Sequence, residues 1–317
     1  MTTLSALTDA PPHNPAQSRI QRRASRHGSG WKNLGWVLFF LLPSAVPLIV
    51  FTVVPMVGSL WVSLQKWNLI SSPTYVGFKN YATLLTDPLT LTIFEHTLFY
   101  IVGYLPLVYC GGLALAIAMN NRLAGRSFFR AAIFLPVVTS WVVVALVWQW
   151  LLNPANGLVN QILGFLHLGQ PGWWTDPNWA IPSVILASAW KDLGFVMVIL
   201  LAGLQSIPTD LYEAATVDGA SGWKRFRHIT FPLLTPSTFF VVVISLINGF
   251  QVFDQVFVMT GGGPDNASQV IVGQVFNLTF RYGKAGQGAA LSWLLFVLIL
   301  IITAIQLRGQ RRWVVHA

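Results

Sequence analysis

Six stretches of the chain are apolar over lengths that suit membrane-spanning helices, which need about 20 residues. The pattern therefore predicts an all-α polytopic membrane protein, with six transmembrane helices contained in residues 33–308. The flanking segments, 1–32 and 309–317, are predicted to be a disordered basic tail and a short second tail. The six predicted spans cover residues 35–62, 97–119, 130–152, 180–204, 233–258 and 287–307.

Basic residues are distributed unevenly between the two sets of loops. With a cytosolic N-terminus, 14 of the 19 Lys and Arg residues lie on the cytosolic side and four lie outside. The positive-inside rule then predicts that both termini are cytosolic. The cytosolic set is Arg19, Arg22, Arg23, Arg26, Lys32, Arg122, Arg126, Arg130, Lys224, Arg225, Arg227, Arg308, Arg311 and Arg312. The outer set is Lys66, Lys79, Arg281 and Lys284.

The composition excludes several classes of protein. Only 9% of the residues are charged and 54% are hydrophobic, whereas a soluble domain has about 25% charged residues. A soluble enzyme is therefore excluded, and the net charge of +9 follows from the loop distribution without any nucleic-acid partner. The single cysteine, Cys110, excludes a disulfide framework. The sequence has no GxxxxGK[ST] motif and its histidines are scattered singly, so we expect no cofactor or metal in this chain.

The outer loop between the third and fourth spans lacks Lys and Arg. Residues 157–166 have apolar positions about one helical turn apart, which predicts a short amphipathic helix at the membrane interface. Trp173, Trp174 and Trp179 follow it and are predicted to lie at headgroup level. A simple connector is the alternative interpretation of this loop.

The cytosolic loop at about 208–231 predicts two short helices joined by a tight turn. Glu213 lies near the start of the first helix, where the helix dipole favours a carboxylate. Ala214 and Ala215 favour helix and add little bulk. Gly219 permits the reversal of the chain. Taken alone, a turn of this kind is more often structural than a functional contact surface.

The string from Glu213 to Pro236 closely resembles the EAA signature of the permease subunits of binding-protein-dependent ABC importers. Further strings resemble the carbohydrate branch of that family, the maltose- and glycerol-phosphate-type permeases, so that the resemblance covers about residues 35–310. One departure is His96-Thr97, where the family often has Asn-Thr. The further strings are residues 77–81, 134–136, 190–191, 204–208, 253–254 and 260–264.

The resemblance implies a type I ABC importer permease fold in a bacterial plasma (inner) membrane. It implies that the cytosolic loop is a coupling helix, which contacts the ATPase through Glu213, Ala214, Ala215, Asp218, Gly219 and Ala220. The implied partners are a second homologous permease, two copies of an ATPase that binds ATP and Mg²⁺, and an extracytoplasmic solute-binding protein. The implied solute is a sugar or a sugar-like molecule: a disaccharide, oligosaccharide, polyol or glycerophosphate.

Lys191 and Asp192 lie near the middle of the fourth predicted span. Each charge there costs about 2.5–3.5 kcal/mol on insertion scales, so both need water, a partner or a ligand. One hypothesis is a salt bridge to another helix, for instance involving Asp254; the other is a water-filled cavity. By resemblance to maltose-type permeases, the positions that line the solute path are Val137, Trp141, Ser188, Lys191, Asp192, Phe195, Ser245 and Gly249.

Two other classes of membrane protein remain as alternatives. An intramembrane enzyme needs a nucleophile with a base, or a metal site, and the spans offer only Lys191, Asp192 and Asp254 as ionisable candidates. A secondary carrier is expected to show internal repeats, and none is evident in the sequence. The importer permease is therefore the favoured prediction.

Overall fold

The computed structural model describes residues 30–121 and 125–313, which are mainly helical with one small hairpin. The helices are α1 (Gly30–Leu48), α2 (Val54–Ser63), α3 (Lys79–Thr86), α4 (Pro88–Asn120), α5 (Arg126–Val138), α6 (Trp141–Leu151), α7 (Leu158–Phe165), α8 (Pro177–Gln205), α9 (Thr209–Val217), α10 (Gly222–Arg225), α11 (Phe231–Leu233), α12 (Thr235–Phe250), α13 (Asp254–Met259), α14 (Ile271–Phe276) and α15 (Ala285–Trp313). Short π-helical turns cover Ile49–Val53, Phe226–Thr230 and Asn277–Arg281, and a 3₁₀ turn covers Trp173–Thr175.

The chain divides into two units, Met1–Gly58 and Ser59–Ala317. Of the predicted N-terminal tail, residues 1–29 lie outside the described residues, and helix α1 already begins at Gly30. Of the predicted C-terminal tail, residues 314–317 lie outside them, while α15 continues to Trp313.

Among the described residues, four helices are long and apolar enough to cross a membrane. The number becomes six when each of two bent helix pairs counts as one span, which agrees with the predicted six. The four are Leu38–Ser63, Pro88–Asn120, Pro177–Gln205 and Ala285–Gln310. The bent pairs are Arg126–Val138 with Trp141–Leu151, at 101°, and Gly222–Leu233 with Thr235–Phe250, at 63°.

The third predicted span, 130–152, is therefore not one continuous helix. Thr139 and Ser140 have extended backbones, with ψ of 149° and 139°, and they separate α5 from α6. Pro136 lacks the N–H that a helix needs at its position, and its own carbonyl accepts the Thr139 hydroxyl at 2.6 Å. A window of mean hydropathy detects the apolar length of this stretch and cannot detect the bend.

The fifth predicted span, 233–258, is also interrupted. Helix α12 ends at Phe250, and three non-helical residues separate it from α13. Such breaks are tolerated at membrane depth where the backbone lines a cavity or is covered by protein. This break forms one wall of the cavity described below.

Helices α4 and α8 form the central pair of the unit Ser59–Ala317. Both start with an aspartate cap followed by proline: Asp87 accepts from the Thr90 N–H at 3.0 Å, and Asp176 accepts from the Asn178 N–H at 2.8 Å. Glycines on α4 face large side chains of α8; a Cβ at Gly103 would lie 2.7 Å from Ile185 Cδ1. Small residues allow two spans to approach closely where lipid provides no hydrophobic driving force between them.

The loop between α6 and α8 contains the expected short helix, which is α7. Trp173, however, is only 6% exposed, and its indole N–H donates to Asn160 Oδ1 at 2.6 Å. A hydrogen-bond partner inside the loop satisfies its one polar atom, so its side chain packs within the protein, and its depth in the membrane stays a prediction. The Trp174 indole donates to the Gln149 carbonyl at 3.2 Å, so this residue fastens the loop to the end of α6.

We expect Gly194→Ala to destabilise the protein by about 1–3 kcal/mol, the usual cost of overpacking. A Cβ at Gly194 would overlap the Ile133 carbonyl and lie 2.9 Å from Phe134 Cα, and backbone atoms cannot rotate away. Thermal unfolding of the purified chain in detergent measures the effect. The control is Gly169→Ala, where nothing lies within 4 Å of the new Cβ. Equal unfolding temperatures for the two variants would show that α5 and α8 are not tightly packed at Gly194.

Candidate functional site

Lys191 connects α8 to the break between α5 and α6. Its ammonium donates a hydrogen bond to the Val137 carbonyl at 2.9 Å and lies 4.7 Å from the centroid of the Trp141 ring. In a continuous helix the Trp141 N–H would donate to that carbonyl, but here Trp141 begins α6. Lys191 therefore satisfies a carbonyl that the break leaves free, and the aromatic face provides a second favourable contact for the cation.

Asp192, the next residue of α8, has a different partner. Its Oδ2 accepts a hydrogen bond from the Tyr104 hydroxyl at 2.7 Å. The ring of Tyr104 stacks on that of Tyr100 with centroids 5.4 Å apart. Adjacent residues of a helix point about 100° apart, so the two charges of the pair contact different helices. Each is held mainly by a neutral group, which differs from the hypothesis of a salt bridge involving Asp254.

A cavity of about 240 Å³ opens beside Asp192. Its walls come from α4, from the start of α6, from α8, and from the break between α12 and α13. The lining combines aromatic rings, amides and two carboxylates, which is unusual in a membrane-spanning protein and favours a polar occupant. The lining residues are Tyr100, Tyr104, Trp141, Asp192, Asn248, Gln251, Val252, Phe253, Asp254 and Gln255.

Of the eight positions predicted for the solute path, two line this cavity, Trp141 and Asp192. Lys191 and Val137 lie directly behind Trp141 through the contacts described above. Ser188 is buried and accepts a weak hydrogen bond from the Gln255 amide at 3.4 Å.

The remaining three positions support the walls. Ser245 is buried on α12. Gly249 faces Ile101, and a Cβ there would lie 3.0 Å from Ile101 Cγ1. Phe195 is half-buried against the hydrophobic core.

Sequence reasoning did not identify the tyrosines of α4 or the amides of the α12–α13 break. Tyr100 and Tyr104 are four residues apart, so they lie on one face of a span. That spacing was visible in the sequence, although aromatic residues in spans more often serve packing. Asn248 and Gln251 flank the end of α12 and became recognisable only once that end was known.

The coupling-helix prediction falls on α9, which projects with an exposed surface. Glu213, Ala214, Asp218 and Gly219 are exposed, while Ala215 and Ala220 are half-buried. The exposed set is continuous over the end of the helix. It is therefore available for contact with another protein.

Helix α9 ends in a Schellman motif built on Gly219. The Ala220 N–H donates to the Ala215 carbonyl at 2.8 Å, and the Gly219 N–H donates to the Thr216 carbonyl at 3.1 Å. Gly219 has φ of +72°, a conformation that suits glycine. The angle between α9 and the following helix is therefore set by the backbone.

Side chains also lock the two arms of this turn. The Tyr212 and Thr230 hydroxyls are hydrogen-bonded at 2.9 Å, and Arg225 Nη1 donates to Thr216 Oγ1 at 3.1 Å. Several apolar side chains on it nevertheless point outward: Val217 is 88% exposed and Trp223 is 67% exposed. A rigid projection with exposed apolar side chains is typical of a protein–protein contact.

These features define a class of protein: the transmembrane subunit of a solute transporter, with a polar cavity between its helices and a rigid, exposed surface at α9. The chain belongs to the family described as the binding-protein-dependent transport system inner membrane component, which it matches over residues 109–313. It is thus an inner-membrane permease subunit of a binding-protein-dependent ABC importer.

Relatives and solved structures agree with that assignment. The chain is 36% identical to the trehalose/maltose transport system permease protein MalF of Thermococcus litoralis over 88% of this chain and 94% of the relative. It is 32% identical to the arabinooligosaccharides transport system permease protein AraP of Bacillus subtilis over 88% of this chain and 91% of the relative. A subunit of a bacterial alginate ABC transporter, crystallised with an alginate pentasaccharide-bound periplasmic protein, superposes with a TM-score of 0.79 at 26% identity, covering 90% of this chain and 98% of that one.

We expect Lys191→Met to loosen the break between α5 and α6. The substitution keeps most of the aliphatic stem but removes the donor to the Val137 carbonyl, and a hydrogen bond from a charged group contributes about 1.5–3 kcal/mol. Hydrogen exchange of the amides at 137–141 should therefore quicken. Lys191→Arg, which retains a cation and donors, is the control and should exchange almost as slowly as the wild type. If amide hydrogen exchange at 137–141 were unchanged in Lys191→Met, Lys191 would not be the group that stabilises the break.

Proposed function

We propose that the chain carries a sugar or a sugar-like solute, such as a disaccharide, oligosaccharide, polyol or glycerophosphate. The observation that carries the proposal is the lining of the cavity, where carboxylate and amide groups stand beside aromatic rings. Sugars combine hydroxyl groups with apolar ring faces, and both kinds of surface find a complement there. The names of the relatives, which are transport permeases for maltose and for arabinooligosaccharides, support the same class.

Within the cavity each residue type has a separate task. Asp192 and the amide of Gln251 bind hydroxyl groups, because a carboxylate accepts from several donors and an amide both donates and accepts. Trp141 and Phe253 stack on a sugar ring. Lys191, which is buried behind Trp141, positions that ring. The other path positions, Val137, Ser188, Phe195, Ser245 and Gly249, shape the walls.

The cavity is small for an oligosaccharide. At about 240 Å³ it is below the ~300–1,000 Å³ that is usual for pockets enclosing drug-sized ligands. It therefore accommodates part of such a solute, and a second homologous permease subunit completes the path. The solute is delivered by an extracytoplasmic solute-binding protein.

The free energy of ATP hydrolysis is transmitted to the chain through α9. Glu213, Ala214, Ala215, Asp218, Gly219 and Ala220 contact a separate cytosolic ATPase, present in two copies, which binds ATP and Mg²⁺ and hydrolyses ATP. The exposure of the α9 surface and the rigidity of its turn support this assignment. With α9 and both termini in the cytosol, the orientation agrees with the positive-inside distribution of Lys and Arg. The family does not favour a secondary carrier or an intramembrane enzyme.

We expect Asp192→Asn to reduce solute transport by about 10- to 100-fold, because hydrogen bonds to a charged group are worth ~1.5–3 kcal/mol. Asparagine keeps the volume and can still bond to the Tyr104 hydroxyl, so the yield of assembled complex should stay normal. Asp265→Asn, at an exposed position outside the cavity, is the control and should transport at the wild-type rate. Loss of the complex in Asp192→Asn would favour a structural role instead, and full transport would remove Asp192 from the solute path.

We expect two substitutions at Gly219 to act differently. Gly219→Ala strains a left-handed backbone by about 1–2 kcal/mol, but open space surrounds the new Cβ, so the ATPase should still bind. Gly219→Trp adds bulk to the exposed surface and should release the ATPase, as should the charge reversal Glu213→Lys. Co-purification of the ATPase measures both effects, with Gly169→Trp on the outer loop as the control for bulk. Normal ATPase binding and import by Gly219→Trp would exclude this surface as the coupling contact.

A further inference from the structure

A second and larger cavity, of about 510 Å³, lies in the unit Ser59–Ala317, away from the candidate solute site. It is formed by the hairpin of β1 (Gln65–Lys66) and β2 (Thr74–Tyr75), which pair antiparallel, and by the first turns of α3 and α15. Gly286 is required for this arrangement, because a Cβ there would overlap the Gln65 carbonyl. We call it the lysine cleft.

The lysine cleft concentrates positive charge. Lys66, Lys79 and Lys284 line it, and none of its lining residues is Asp or Glu. These are three of the four basic residues that the orientation puts on the outer side of the membrane. Within the described part of the chain, none of the three ammonium groups has a hydrogen-bond or ion-pair partner.

Two helix N-termini add to this charge. The first turns of α3 and α15 both border the cleft, through Asn80 and Gly286 respectively. The N-terminus of a helix carries a partial positive charge, which favours an anion. Three unpaired lysines and two helix dipoles thus converge on one concave space.

The walls of the lysine cleft are already fixed before any ligand binds. The Asn80 amide donates to the carbonyls of Ser63 and Gln65, at 2.8 Å each. The Asn68 carboxamide oxygen accepts from the Ser71 N–H at 2.8 Å, and the Trp67 indole donates to the Ser71 carbonyl at 2.8 Å. These groups hold the hairpin, whereas the lysines are left for a ligand.

The surroundings of the cleft indicate what kind of anion it binds. It lies where the span Leu38–Ser63 ends and the span Ala285–Gln310 begins, and the ends of spanning helices are the parts expected at headgroup depth. Apolar side chains next to it point outward: Ile70 is 93% exposed and Phe78 is 75% exposed, and Tyr75 stacks on Trp61. Aromatic residues at this depth are typical of the membrane interface. A small dissolved anion has no apolar part that could contact these exposed side chains, whereas a lipid has acyl chains.

We propose that the lysine cleft binds the phosphate headgroup of an anionic membrane lipid, with the acyl chains along the apolar rim. The proposal needs only that the chain is a membrane protein in the stated orientation. It is independent of the solute and of ATP.

The test uses the assembled transporter in nanodiscs of phosphatidylcholine that contain increasing amounts of phosphatidylglycerol. Native mass spectrometry measures the phosphatidylglycerol retained. Each lysine near an anionic membrane surface contributes roughly fivefold to binding. The triple variant Lys66→Gln, Lys79→Gln, Lys284→Gln should therefore bind one phosphatidylglycerol about 100-fold more weakly, and Lys284→Gln alone about fivefold more weakly.

Two controls accompany the variants. The triple Lys→Arg variant keeps the charge and should retain the lipid. Arg281→Gln removes an outer cation that lies outside the cleft, 5.8 Å from the ring centroid of Phe257, and should also leave binding unchanged. Equal retention of phosphatidylglycerol by the triple Gln variant and the wild type would overturn the proposal.

Two further results would also overturn it. Displacement of the lipid by millimolar inorganic phosphate would identify a site for free anions. Loss of binding to the solute-binding protein in the triple Gln variant, with phosphatidylglycerol retained, would identify a protein-docking surface. Transport of solute is measured separately, so failure of the lipid site leaves the proposed transport function untouched.

Discussion

The hydrogen bond from Lys191 to the Val137 carbonyl is the interaction on which the candidate site depends. An ammonium in a span costs about 2.5–3.5 kcal/mol, and a free carbonyl at the same depth is also unfavourable. The hydrogen bond between the ammonium and the carbonyl lowers the cost of burying each group, and the ring of Trp141 adds a favourable contact for the cation. One turn further along α8, Gly194 lets the backbones of α5 and α8 meet. The break in the third span is therefore held from α8.

The walls of the cavity follow from the same principle. Polar backbone is tolerated in a membrane only where protein or water satisfies it. The break after Val138 is held by Lys191 of α8, and the break after Phe250 shares a cavity with Tyr100 and Tyr104 of α4 and with Asp192 of α8. The continuous helices thus serve as the scaffold, and the broken ones provide the irregular surface that a solute needs.

Much of this arrangement could be predicted from the sequence. The bends and the contacts between distant residues could not, because they depend on how the helices pack. Hydropathy located the six apolar stretches, and the EAA string located α9. The 101° bend at Thr139 was not predicted, because hydropathy reports the length of an apolar stretch and not the direction of its helix axis. The contact of Asp192 with Tyr104 joins residues 88 positions apart, so it depends on how α4 packs on α8. The burial of Trp173 was not predicted, because its partner, Asn160, lies beside it only in the folded loop.

The position of α9 in the chain has a mechanical consequence. It lies between α8, which carries Asp192, and α12, whose end carries Asn248, so two of the elements that line the cavity are connected through α9 and the short segments that follow it. The two helices are also pinned together near α9, because Gly203 of α8 would place a Cβ 2.8 Å from a methyl carbon of Leu234 at the start of α12. Close packing transmits a displacement instead of absorbing it. Under the proposed coupling, we expect a partner that pushes on α9 to move α8 and α12 together, so that the cavity changes shape relative to α4 and α6.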